Sequence, residues 1–230
     1  TGSTFYIIME ACAFSVDKLP TNFQSFLRGG DDGSEEGNAQ TTGLVVRNLM
    51  VKDLLQGVAF LHQHKVAHCD VKPGNLLVSF CRTGVPKPCK PKYWTQAMLK
   101  LTDFGVSRVL EQKRDEHGAT TTTISLTALP EVSGVAGTQA YMSPQLLEHI
   151  DKLRAHQRNR RRNPAQGAPD THSIDPTLLM QNDAFGCGCA IAYICSSGKH
   201  PFGSADSALE IDLNPRVDEI PENIKKDLEI

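Results

Sequence analysis

Apolar positions come in short runs separated by long polar stretches, so the elements can be placed one by one. Tyr6-Ile7-Ile8-Met9 is continuously apolar between Gly2-Ser3 and Glu10 and reads as a buried strand. Such a strand needs sheet neighbours on both sides, and a missing N-terminal piece is the expected source of them. Ser15 to Leu27 has room for one short helix, and residues 28–43 have the Gly, Asp, Glu, Ser and Thr content of a loop with a solvated acidic tip at Asp31, Asp32, Glu35 and Glu36. From Leu44 the pattern changes. Val51, Leu54, Leu55, Val58 and Leu61 recur at helical spacing and predict an amphipathic helix ending near His64-Lys65. Short strands are expected at Leu76-Leu77-Val78 and Met98-Leu99-Lys100-Leu101.

Three polar stretches interrupt the later pattern. Cys81 to Gln96 holds Pro86, Pro88 and Pro91, and proline removes ladder donors, so an inserted loop is expected. Leu110 to Ser133 is Thr-rich without a period and reads as a second loop. His149 to Asp175 reads as a third, carrying Lys152, Arg154, Arg158, Arg160, Arg161 and Arg162. Contact with RNA or anionic lipid would suit that basic run, but without interleaved aromatics a solvated insertion is the plainer reading. Ala184 to Cys195 returns to a buried helix opened by Asp183, and Pro201-Phe202-Gly203 stops it.

Composition adds limits rather than chemistry. The 230 residues are 40% hydrophobic with a net charge of −2, which suits one good-sized core or two small ones and demands neither nucleic acid nor an acidic partner. Seven cysteines form no pair of CxxC knuckles, and Cys187 and Cys189 sit in an apolar run, so packed thiols are expected rather than zinc. No signal peptide is visible, and the longest apolar run, Ala190 to Cys195, is far short of the ~20 residues a membrane span needs.

The chemistry lies between helix and strand, in His68-Cys69-Asp70-Val71-Lys72-Pro73-Gly74-Asn75. Asp70 and Lys72 are two apart, so both face one side of an extended loop. A carboxylate there suits the proton of an attacking hydroxyl, an ammonium suits a transferred phosphate, and the Asn75 amide oxygen suits a hard cation such as Mg2+. Asp103 of Asp103-Phe104-Gly105 follows the second strand and adds another metal-binding oxygen, beside a buried Phe104. Four such residues are hard to explain as core packing, whereas His68 alone reads as structural.

These motifs, in order and each beside a strand, resemble the catalytic loop and metal-binding motif of eukaryotic protein kinases. The resemblance implies an α+β, protein-kinase-like fold: a hinge plus a mainly helical large lobe, the small lobe largely missing. Residues 1–14 would be the last small-lobe strand and hinge, and 15–230 the large lobe with insertions at about 28–43, 81–97, 110–135 and 149–176. It further implies Asp70 as catalytic base, Lys72 as phosphate-neutralising lysine of the serine/threonine type, and Asn75 and Asp103 as Mg2+ ligands. Gly137-Thr138-Gln139-Ala140-Tyr141-Met142-Ser143-Pro144 resembles the end of an activation segment, with Thr138 bracing Asp70 and Lys72. Asp183 resembles the aspartate that anchors the catalytic-loop backbone.

Met9-Glu10-Ala11-Cys12 and Gly198-Lys199-His200-Pro201-Phe202-Gly203 resemble, more narrowly, the inositol-requiring kinase–endoribonuclease family. That resemblance implies ATP held by backbone groups of Glu10 and Cys12, with Met9 as gatekeeper. It also implies a protein substrate or self as acceptor (trans-autophosphorylation), a homodimer, and contact with RNA only through a domain beyond Ile230. The segment would then be cytosolic, within a single-pass endoplasmic reticulum membrane protein. Three departures qualify this. Cys69 stands where an arginine normally pairs with a phosphorylated activation loop, so Thr120 to Thr123, Ser125 and Thr127 remain candidate phosphosites with doubtful coupling. Gln145 replaces a buried glutamate. No glycine-rich loop or strand lysine precedes Tyr6, so these residues alone are expected to be nearly inactive. A pseudokinase, or a nucleotide-operated scaffold switching an attached RNase, is the alternative.

Overall fold

A computed structural model describes residues 9–29, 39–82, 87, 90–114, 120–124, 137–162, 174–196 and 198–202. In chain order these hold β1 (Phe14–Ser15), α1 (Thr21–Leu27), α2 (Ala39–Gln63), β2 (Val66–Ala67), β3 (Leu76–Ser79), β4 (Met98–Leu101), β5 (Arg108–Arg114), β6 (Thr120–Ile124), α3 (Pro144–Arg162) and α4 (Pro176–Cys195). The fold is α+β, with helices dominating. Two small antiparallel sheets, ordered β1-β3-β4 and β2-β5-β6, flank the loop that carries the candidate chemistry.

Helix α2 starts at Ala39, so the last residues of the expected 28–43 loop are helical. Its buried stripe is Val46, Met50, Leu54 and Val58, spaced four apart along one face. Successive helical residues are rotated by about 100°, so Leu55 cannot share that face with Leu54, and it is 49% exposed. The stripe packs into a core with Phe23, Phe26, Leu76, Val78, Phe80 and Trp94. Phe14, Phe23, Phe26, Phe80 and Trp94 meet at ring-centroid separations of 5.1–6.0 Å, mostly tilted or edge-on. Gly43 is required where α1 ends against α2, because a Cβ there would lie 1.8 Å from the Phe26 carbonyl oxygen.

The strands β3 and β4 match the expected runs, and they pair with Leu76 opposite Leu101. The proline-rich insertion forms no strand among its described residues. It carries a 3-10 turn, Pro91–Gln96, that sinks Trp94 into the core. Arg82 ties its start down by pairing with Asp53 at 2.6 Å and donating to the Ala97 carbonyl.

Three expected loops or boundaries are overturned. Within 110–135, Thr120–Ile124 pairs with Leu110–Arg114 as a hairpin, since threonine's branched Cβ suits a pleated sheet. Within 149–176, the basic run continues α3 to Arg162. No proline or glycine interrupts it after Pro144, and Glu148–Lys152 and Asp151–Arg154 pair along the helix. Helix α4 opens at Pro176 and not at Asp183. Asp175 caps it by accepting from the Thr177 amide at 2.8 Å, with proline at the first helical position. By length and composition α4 would cross a membrane, yet half of it is buried inside the protein and Asp183 lies in its middle. Tyr6 to Ile8, the acidic cluster at 31–36, Ser125 and Thr127 lie outside the described residues, and Met9 is not in a strand.

The revised face of α2 is directly testable. Leu54→Ala should cost about 2–5 kcal/mol in urea denaturation, whereas Leu55→Ala should stay within about 0.5 kcal/mol.

Candidate active site

Helix α2 ends at Gln63, and a left-handed Lys65 (φ 59°) turns the chain into β2. The loop that follows is fixed from beneath by α4. Asp183, fully buried, accepts from the His68 amide at 2.7 Å, the Cys69 amide at 2.7 Å and the His62 imidazole at 2.9 Å. His68 is buried as well. Its Nε2 donates to the Thr102 carbonyl at 3.0 Å, its Nδ1 accepts from the Asp70 amide at 3.3 Å, and Ser107 donates to its carbonyl at 3.2 Å. Those partners select the Nε2–H tautomer. They also tie the loop to the residue preceding Asp103.

Cys69 adopts φ 68°, a conformation that costs a non-glycine residue roughly 1–2 kcal/mol. Its thiol is buried with Leu110, Met142, Leu146 and Ile150, and burial pushes its pKa up to about 12. The Cys69 side chain is therefore an inert apolar plug.

Past Cys69 the chain presents Asp70. Lys72 Nζ donates to Asp70 Oδ2 at 2.7 Å and to Thr138 Oγ at 2.6 Å. Asn75 Nδ2 donates to Asp70 Oδ2 and to the Asp70 carbonyl, each at 2.9 Å. The Thr138 amide donates to Asp70 Oδ1 at 2.9 Å. Burial alone would raise the Asp70 carboxyl, but the Lys72 ammonium and the Thr138 amide outweigh it and hold it below the usual range. Such a depressed pKa contributes stability that is present above the unfolded value of about 3.9 and is lost as pH falls through the folded value.

Asn75 and Asp103 sit at the same end of the β3–β4 pair, where the Thr102 amide donates to the Asn75 carbonyl at 3.0 Å. With both Asn75 amide contacts committed to Asp70, its side-chain oxygen is left for another partner. Asp103 is exposed, with φ 65° and one carboxylate oxygen 3.3 Å from the Gly105 amide. Two hard oxygen donors at adjoining strand ends fit a divalent cation such as Mg2+. Phe104, expected to be buried, is 50% exposed and touches the His68 ring edge-on at 5.1 Å, because the left-handed turn at Asp103 swings it outward.

Met9, Glu10 and Cys12 stand apart from this network. Met9 is 67% exposed. The Glu10 side chain pairs with Lys100 and accepts from Ser79 Oγ at 3.2 Å, and the Lys100 contact lowers its pKa. Cys12 is half-buried, and burial raises its thiol. Gln145, which replaces a glutamate of the resembling motif, is exposed on the first turn of α3.

Three positions, Asn182, Gly186 and His62, escaped sequence reasoning, and the packing role of a fourth, Gly137, was not foreseen from its motif. Asn182 accepts from the Ser143 amide at 2.8 Å and holds the Gly137–Pro144 segment against α4. Gly186 lets α4 approach the loop, since a Cβ there would lie 2.6 Å from the Val71 carbonyl oxygen. Gly137 (φ 148°) does the same from the other side, 2.8 Å from the Cys69 carbonyl oxygen. His62 completes the three. An Asn-Asp pair inside an apolar helix was the available signal, because buried polar groups require partners.

The family model described as protein kinase domain matches residues 2–159. The chain is 26% identical over 89% of its length to "Serine/threonine-protein kinase/endoribonuclease IRE1" of Hypocrea jecorina, covering 14% of that protein. It is 28% identical over 87% of its length to "Serine/threonine-protein kinase/endoribonuclease IRE2" of Homo sapiens, covering 15%. It is also 28% identical over 64% of its length to "Serine/threonine-protein kinase HAL5" of Candida glabrata, covering 14%. The chain thus spans about one seventh of the length of these curated relatives.

Removing the ammonium by Lys72→Met should raise the Asp70 pKa, read by carboxyl carbon-13 NMR titration. An unchanged value would rule out Lys72 as the cause of the depression. Cys69→Arg should lower stability by roughly 3 kcal/mol or more in urea, because it forces a guanidinium into an apolar cluster.

Proposed function

The chain belongs to the protein kinase family, and from that premise we propose that it carries the phosphoryl-transfer half of a serine/threonine kinase site, moving phosphate from ATP to a protein hydroxyl. The observation that carries this reading is the single network joining Asp70, Lys72, Asn75 and Thr138.

The lone pairs and protons of that network define the roles. A carboxylate offers about four lone-pair positions. Lys72 and Asn75 occupy Oδ2 and Thr138 occupies one position on Oδ1, which leaves Oδ1 to accept from an attacking hydroxyl. A carboxyl held at a low pKa is a weak proton sink in the ground state. Asp70 therefore acts first by orienting the hydroxyl and takes the proton late. An ammonium has three donors, and two of them go to Asp70 and Thr138. The third is directed to the transferred phosphate, where it offsets negative charge. Asn75 and Asp103 would hold Mg2+, which supplies charge neutralisation on the phosphates. Backbone groups of Glu10 and Cys12 hold the adenine, with Met9 beside it.

For the whole protein, the same reading extends to a kinase–endoribonuclease that senses stress in the endoplasmic reticulum. It would cross that membrane once, dimerise with itself and phosphorylate its own partner in trans. The support is the likeness to relatives whose names join the two activities. Buried Cys69 favours a second reading, a nucleotide-operated scaffold, because it removes the usual electrostatic link to activation-loop phosphorylation.

The test is Asp70→Asn in the full-length protein. Autophosphorylation on serine and threonine should fall at least about a hundredfold, with ATP binding by calorimetry unchanged. Phosphorylation equal to wild type would refute the role of Asp70. Absence of phosphorylation in the wild type, with ATP still bound, would favour the scaffold.

A further inference from the structure

The run from Lys152 to Arg162 departs furthest from its expected form, because it is the second half of a helix. The chain has 24 lysines and arginines against 26 acids, and six of the 24 lie in this run with no acid among them, so the rest of the chain is acidic. The last acid of α3, Asp151, pairs with Arg154 at 3.7 Å. Arg158, Arg161 and Arg162 follow Arg154 at three- and four-residue spacing, which puts all four on one face. Both i±4 neighbours of Arg158 are therefore cations, and like charges at that spacing destabilise a helix. The negative end of a helix favours cations within its last turn, which accounts for Arg160 to Arg162 but not for Arg154 or Arg158. Beyond Leu153 the described side chains, Arg154, Ala155 and Arg158, are all exposed.

We infer that this arginine face is a docking site for a membrane surface rich in anionic phospholipid, held by charge and without insertion. The inference is independent of the phosphoryl-transfer reading. An arginine fork matches the oxygens of a phosphate, and clusters of roughly four to eight basic residues on a helix suit anionic headgroups. A flat surface is reached only by a part that projects. The residues from Leu153 to Arg162 rise about 13 Å along the helix axis, which exceeds the Debye length of about 8 Å at physiological salt. The cationic end can thus enter the surface potential while the acidic body stays outside it. With Leu146, Leu147, Ile150 and Leu153 packed into the protein's interior, α3 has no apolar face left to insert. It also has no Phe, Tyr or Trp on which bases could stack, which sets RNA aside. Because α3 begins directly after the segment that carries Thr138, docking holds the Asp70 site about one helix length from the membrane.

The test is amide hydrogen exchange across residues 153–162 of the full-length protein mixed with vesicles. Relative to pure phosphatidylcholine, vesicles with about 30% phosphatidylserine should slow exchange roughly tenfold, and about 0.5 M salt should abolish the effect. Arg154→Gln, Arg158→Gln and Arg161→Gln combined should remove the slowing, with helix propensity preserved. The same three positions changed to lysine should keep it. Equal exchange on neutral and anionic vesicles would overturn the inference, as would slowing that survives the glutamine variant or is lost in the lysine variant. Slowing by duplex RNA but not by anionic vesicles would assign the face to nucleic acid and overturn it as well.

Discussion

A buried carboxylate must find donors, and the donors Asp183 finds are two backbone amides of the loop that bears Asp70. That requirement links elements far apart in sequence. Helix α4 cannot keep its apolar faces packed without bringing Asp183 under the loop, and the loop cannot satisfy its His68 and Cys69 amides elsewhere without leaving the interior. Asn182, beside Asp183, fastens the Gly137–Pro144 segment by the same logic, and Thr138 on that segment reaches back to Asp70. Positions 182 and 183 therefore set both sides of the site from one turn of helix. The reactive groups are arranged by a residue that never meets a substrate.

The motif residues were legible in the sequence because their chemistry is unusual. A carboxylate, a lysine and an asparagine in a short loop before an apolar strand have few structural explanations. The strands at 76–79 and 98–101 were legible too, as apolar runs of strand length with clear ends. What misled was polarity read as disorder. The run through Lys152 and Arg158 looked like solvated loop, yet it carries good helix formers, a Ser143-Pro144 start and pairs at helical spacing. The Thr-rich stretch lacked a period because its partner strand was not identifiable locally, and pairing rather than pattern makes it a hairpin.

Burial was harder to read than secondary structure. Leu54 and Leu55 are identical side chains one position apart, and only the packing of α2 against the aromatic core decides which is covered. Cys69 was seen as a lost arginine, a deficit. The structure supplies the other half, since the space around it is filled by Leu110, Met142, Leu146 and Ile150 and has no place for a guanidinium. Asp183 was recognised by resemblance, but its third partner, His62, was not, because nothing in local sequence relates the end of one helix to the middle of another.

Gly137 and Gly186 flank the loop from opposite sides, each occupying a place where a methyl group would strike a loop carbonyl. At these two points the loop that bears Asp70 meets the neighbouring segments backbone to backbone. Where a guanidinium would couple the neighbouring segment to the loop through charge, here the coupling passes by direct contact at Cys69 and Val71. A contact of that kind is short-ranged and stiff. It transmits displacement rather than potential, so added salt that would weaken a charge-based link leaves it unchanged.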